Sequence, residues 1–308
     1  MATRSHRPRD ARLVGAVLAL LLVAVPVAVS GKQFTAWGAA TAEVGINSPQ
    51  ADGCPIESPN GLQLFIASAR PGAVGGAGDP NDIWYAERAA VDAPWGEPAH
   101  LPAPVNSAAA DFCPTPLNGN GLLFVSTRGG PGSCGAGDMY FTRRNPAHGW
   151  SQPVNLGCAA TGAGPNFPGG EFSPSLVETD AGTFLYFSST GFDGGDQDIY
   201  VSAMRADGTF APATAVTELN TAANDQMPNV SRDGREIVFA NDGGGNFDIY
   251  TSIRASTDEA WSSPWNLGAS VNTGAPETRP SLSGDGERLH FGRSGDIYVS
   301  SRSRATGN

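Results

Sequence analysis

Residues 225–267 read DQMPNVSRDGREIVFANDGGGNFDIYTSIRASTDEAWSSPWNL, and the order of signals in this stretch decides the fold. An acid three residues before a proline (Asp225, Pro228) is followed by the turn pair Asp233-Gly234. Five residues after that glycine comes Phe239. Gly243-Gly244 then leads to Asp248-Ile249-Tyr250, and Trp261 with Pro264 closes the unit. Short β-branched and aromatic runs separated by turn residues read as strands. Asp-Gly between two such runs is a hairpin signal, because a type I′ turn needs φ > 0 at both central positions.

The same order recurs along the chain. Gly61/Ile66, Gly119/Phe124, Gly182/Phe187, Gly234/Phe239 and Gly286/Phe291 keep one five-residue offset, and an Asp-apolar-aromatic run follows each at Asp82, Asp138, Asp198, Asp248 and Asp296. Trp95, Trp150, Phe210 and Trp261 each open a fourth strand in the first four copies. The prolines that follow them (Pro98, Pro153, Pro212, Pro264) suit an outer edge, where a missing N–H costs no ladder bond. Asn106, Asn220 and Asn272 close their units. The fifth copy stops after three strands, and Trp37, Ala40 and Asn47 supply the missing columns from the other end. A repeat split in this way has a use only in a closed ring. The expectation is an all-β, five-bladed β-propeller with four-stranded antiparallel blades, its last blade completed by the N-terminal strand, over residues 31–308.

These motifs resemble the TolB-type, WD-like β-propeller repeat of bacterial exported and envelope proteins over residues 34–302, with the third copy departing most through an insertion at 166–170. The resemblance implies a fold found in partner-binding, scaffold and some enzymatic settings, so function has to be argued from the site.

Residues 1–30 stand apart. Arg4, Arg7, Arg9 and Arg12 precede an apolar run from Leu13 to Val29, and Ala28 and Ser30 offer small residues before Gly31. That is the layout of a secretory signal peptide; the alternative is a retained membrane anchor. Without these residues, 15 basic and 29 acidic residues remain, a net charge of −14, which repels phosphate backbones and excludes nucleic acid as a partner. Composition agrees with many short strands: 40 Gly and 24 Pro, with 16% charged residues.

Strand alternation sorts the connections onto two faces. The innermost strands begin at what we call the top, and the Asp-Gly turns lie at the bottom. Asp52, Asp111, Glu171, Asp225 and Glu277 start the innermost strands, and five-fold geometry sets them in a ring at the mouth of the axis. They read either as caps of neighbouring backbone N–H groups or as a site for a cation such as Ca²⁺. Arg70 and Arg128 occupy matching positions near the same mouth, while Gly191 and Gly243 stand at that column in the third and fourth copies. Asp193, Asp196 and Asp198 form a denser acidic loop, a second place for Ca²⁺ that lacks EF-hand spacing. Four cysteines, Cys54, Cys113, Cys134 and Cys158, suit two disulfides in an exported chain. Cys54 pairs with Cys113, or Cys113 with Cys134.

No GxSxG elbow is present; His100, His148 and His290 fall at unrelated repeat positions, and neither His148 nor His290 has a visible partner. The expectation is therefore an exported, monomeric, non-catalytic module that binds a protein or glycan through its top face. The alternatives are a glycoside-active enzyme using axial carboxylates, and a calcium-dependent lectin-like module with Phe167 and Phe192 as stacking rings.

Overall fold

The computed structural model describes residues 34–74 and 81–305. The leader-like segment 1–30 lies outside the described residues. Five small antiparallel sheets form the ring. The first blade runs Asp52–Glu57, Gln63–Ser68, Asp82–Glu87 and Ala99–His100 from axis to rim. The second, third and fourth repeat this order from Asp111–Pro116, Glu171–Thr179 and Asp225–Val230. In the fifth, Glu277–Leu282, Arg288–Arg293 and Asp296–Ser301 are joined at the rim by Thr41–Ala42. Thr41 pairs with Val299 and Ala42 with Tyr298, so the N-terminal strand closes the last blade. Among the described residues no helix is long and apolar enough to cross a membrane.

The five-residue offset has a packing cause. Ile66, Phe124, Phe187, Phe239 and Phe291 sit mid-sheet and are almost wholly buried. Four of these rings stack on the tyrosine of the neighbouring third strand, with centroids 6.0–6.3 Å apart. Burying a side chain of this size contributes on the order of 2–3 kcal/mol, and the offset holds it at one height in every blade. The outermost strands prove shorter than expected, two ladder residues each, and begin after the Trp-x-x-Pro segment. Trp37, Trp95, Phe210 and Trp261 are buried anchors beneath that segment.

Two local readings change. Three hairpins are not type I′: Gly61, Gly234 and Gly286 have φ between 70° and 76°, but no positive φ falls on the preceding Asn or Asp; in the second blade the positive pair is Gly119-Asn120, one residue later than Asn118-Gly119. In the first three turns named, the side chain of the Asn or Asp does the organising. Asn60, for example, accepts the Leu62 N–H and the Ser58 hydroxyl at 3.1 and 2.7 Å. The asparagine column also has a fifth member, Asn166. Asn106, Asn220, Asn272 and Asn47 each accept the N–H of the Ile in the Asp-Ile run and donate back to its carbonyl. Asn166 does the same for Met139.

Each innermost strand breaks register once, beside its proline. The residue before that proline has positive φ in every blade: Cys54 48°, Cys113 46°, Ser173 49°, Met227 57° and Arg279 57°. For non-glycine residues this costs about 1 kcal/mol each. The bulge puts four of these residues (Cys54, Cys113, Ser173 and Arg279) and all five prolines around the axis, where only about 20 Å³ of space remains.

Polar ties join neighbouring blades just below these bulges. Thr115 donates to the Pro174 carbonyl and Ser281 to that of Pro55, while Ser175 accepts the Val230 N–H and Asn229 the Leu282 N–H. The corresponding residue at the joint between the first and second blades is Ile56, which has no polar atom to offer. There the chain places a disulfide, Cys54–Cys113; Cys134–Cys158 is the second. Replacing Cys54 and Cys113 by Ser should therefore lower unfolding stability by about 2–4 kcal/mol, measured by urea denaturation. A double variant as stable as the parent would mean that this joint needs no tie.

Candidate functional site

The five acids at the starts of the innermost strands are all buried, at most 4% exposed. Each carboxylate accepts the backbone N–H four residues earlier, from Ser48, Ser107, Phe167, Thr221 and Thr273. Ser107, Thr221 and Thr273 add their hydroxyls at 2.6–2.8 Å. One carboxylate thus folds the inter-blade crossing into a compact loop.

Their other bonds differ. Arg70 reaches Asp52 at 2.7 Å and Arg128 reaches Asp111 at 2.5 Å, as the matching positions suggested. A third pair, Arg293 with Glu277 at 2.7 Å, was missed because Arg293 comes two residues earlier in its repeat than Arg70 and Arg128. All three guanidiniums also lie over aromatic rings of their own blade, 4.3–5.5 Å from the centroids. In the fourth blade Asn241 donates to Asp225 at 2.7 Å in place of an arginine.

In the third blade no described cation bonds the acid. The Phe167 ring, carried in by the 166–170 insertion, lies 4.7 Å from Tyr200 and 6.2 Å from Phe187, where the first, second and fifth blades set a guanidinium over the equivalent rings. Glu171 keeps the Phe167 N–H and the Ser189 hydroxyl on Oε1, while Oε2 has no partner. Burial pushes its carboxyl up to about 9, more than those two hydrogen bonds offset. Burial also raises Asp111 against the pull of Arg128, and Asp225 against that of Asn241. Glu171 is therefore a neutral acid at pH 7.

In the acidic loop Asp193 and Asp196 are exposed. Asp198 is raised by burial and by the nearby charges of Asp225 and Asp196. Among the described residues no three His, Cys, Asp or Glu side chains gather as a group able to hold a metal ion. Of the two rings considered for stacking, Phe167 is buried and Phe192 is 59% exposed.

Clefts lie toward the other end of the ring. A vestibule of about 370 Å³ opens on the axis between the turns at Pro59, Asn118 and Gly284. A groove of about 420 Å³ runs between the turns of the fourth and fifth blades, walled by Trp265, Ile253, Phe34, Arg232 and Asp285. Trp265 is 45% exposed there. A third cleft, about 530 Å³, follows the seam between the fifth and first blades. His290 lies on its wall, with two carboxylates nearby but neither within hydrogen-bond distance, and its buried Nδ1 has no hydrogen-bond partner. Its Nε2 is 3.6 Å from Glu43, and its Nδ1 is 3.8 Å from Glu57. Glu57 in turn bridges Arg88 and Arg288 at 3.1 and 2.8 Å.

No family model and no curated protein matches the sequence. Solved structures do match in fold. The α-L-arabinofuranosidase of Podospora anserina in complex with cellotriose is 13% identical, covering 88% of this chain and 97% of its own, at a TM-score of 0.55. A family 117 glycoside hydrolase of the marine bacterium Zobellia galactanivorans is 12% identical over 90% and 92%, at 0.54. A putative TolB of Agrobacterium tumefaciens is 16% identical over 84% and 78%, at 0.47. At such identities the likeness is one of fold.

Glu171 yields a signed pH dependence. Its carboxyl stays protonated in the native state up to about 9 but ionises near 4.5 when exposed, so its contribution to stability is present below pH 4.5 and is lost as pH rises toward 9. Glu171→Gln, which keeps the acceptor and a donor, should raise stability at pH 7 by about 3 kcal/mol and change it little at pH 4. Urea midpoints across pH 4–9 read this directly. Parallel curves for the two proteins would show that Glu171 is ionised in the native state.

Proposed function

We propose that the chain is an exported, non-catalytic β-propeller that binds a glycan or protein partner in the grooves of its bottom face. The observation that carries this reading is the closed state of the axis. All five axial acids are buried in internal hydrogen bonds, and the channel beneath them is narrowed by the Cys54–Cys113 disulfide, Ser173 and Arg279 to about 20 Å³. A glycosidase needs one protonated and one ionised carboxyl facing each other across a substrate cavity. Glu171 has the raised proton affinity of an acid, but it is fully buried and lines none of the clefts described.

The bottom grooves offer what a binding surface needs. Trp265 presents a half-exposed aromatic face beside Arg232 and Asp285, an apolar platform flanked by groups that hydrogen-bond hydroxyls. On this reading the seat lies away from the acidic top ring, the face the sequence suggested, because the ring's carboxylates already have internal partners. Export is supported by two disulfides and by the basic-then-apolar leader pattern of residues 1–30.

The test pairs a glycan array with a hydrolysis panel of arabinan and cello-oligosaccharide substrates. Binding without turnover is expected, and Trp265→Ala should weaken it tenfold or more, a loss of at least about 1.4 kcal/mol. Release of sugar from any of these substrates would overturn the non-catalytic reading. Glycan binding that ignores Trp265 would remove the groove from it.

A further inference from the structure

Arg279 is a cation placed where cations are rarely left alone. It occupies the positive-φ position of the fifth blade, so the bulge turns its side chain toward the axis. Its guanidinium crosses to the first blade and fills the notch left by Gly53, where even a Cβ would come within 2.5 Å of Nη1. Arg70, Arg128 and Arg293 each hold a carboxylate. Arg279 has none among the described residues. Its Nε is buried without an acceptor, and burial lowers its proton affinity with no neighbouring acid to oppose the shift. The residue as a whole is part-buried, and a guanidinium with a buried, unpartnered Nε and no neighbouring acid calls for a counter-charge or a polar particle beside it.

The axis has room for such a particle. The remaining space, about 20 Å³, is bounded by Arg279, Asn229, Ser173, Ser281 and the two cysteines of the disulfide. That volume admits one particle about the size of a water molecule. The polar groups around it lean toward donation. Asn229 spends its Oδ1 on the Leu282 N–H, which leaves the Nδ2 amide without a partner among the described residues. The Ser281 hydroxyl is directed to the Pro55 carbonyl, and the Ser173 hydroxyl toward Cys113 Sγ. No carboxylate lines the space. A void of this size with a positive wall and spare N–H donors fits a small monovalent anion and is too tight for a tetrahedral oxyanion.

We propose that this axial void binds a single halide ion, held by the Arg279 guanidinium and the Asn229 amide and locking the fifth blade to the first. The whole protein, exchanged into gluconate and kept at constant ionic strength, is unfolded thermally while chloride, bromide or sulfate is titrated in. The midpoint should climb by about 3–5 °C per tenfold increase in chloride or bromide above the dissociation constant, and stay level in sulfate. In Arg279→Met the halide response should vanish. If that variant does not fold, crystals of the parent grown in bromide decide the matter: an anomalous peak in contact with Arg279 and Asn229 supports the site. A void holding only water at saturating bromide overturns it, as does an equal thermal response to sulfate and halide.

Discussion

The bulge at the centre of each blade is the constraint on which the rest of the molecule depends. Five innermost strands converge on one axis, and an unbroken strand would have nothing to fill the channel between them. A residue of positive φ followed by a proline solves this locally. The proline has no N–H to lose, and the residue before it is turned out of the sheet toward the centre. Glycine would adopt that backbone with less strain, yet none of the five positions carries one. The side chain is what the position needs. Two cysteines, a serine and an arginine together plug a channel that backbone alone would leave open.

Once the centre is plugged, the joints between blades can each be solved differently. Four use a single polar side chain bonded to the next blade's backbone, and the fifth uses a covalent bond. The same latitude appears at the top, where one column of buried acids is satisfied by arginine in three blades, by asparagine in one and by its own proton in another. Repeats share a shape, and the chemistry that stabilises it is chosen blade by blade.

This pattern explains what could be read in advance. The ring, its five blades and its closure were legible because turn glycines, core aromatics and rim tryptophans keep fixed spacings, and spacing is set by strand geometry. The acid column was legible for the same reason, through its fixed distance to the proline. Partners that come from a different repeat position were not. Arg293 and Asn241 stand two residues before the column where Arg70 and Arg128 stand, and Phe167 reaches its slot from an insertion. Asn166 escaped notice because the segment carrying Cys158 displaces it from its expected distance. The pairing of Cys54 with Cys113 was one of two options until the bulge turned both side chains toward the axis. Position along the chain encodes backbone height well, but it does not encode which side chain from which blade will fill a given slot.

The closing strand has a consequence in time as well as in space. Residues 34–47 form contacts with residues 296–304, so the earliest described part of the chain waits for nearly the latest before its backbone groups are paired. Until then the growing ring has two open edges, one at the first blade and one at whichever blade formed last. Contacts so distant in sequence form slowly. A chain that appears N-terminus first has four blades able to assemble in succession and a fifth that cannot, so its final step is a single late clasp rather than a gradual accretion. The vulnerable interval for such a protein is the one just before its last strand arrives.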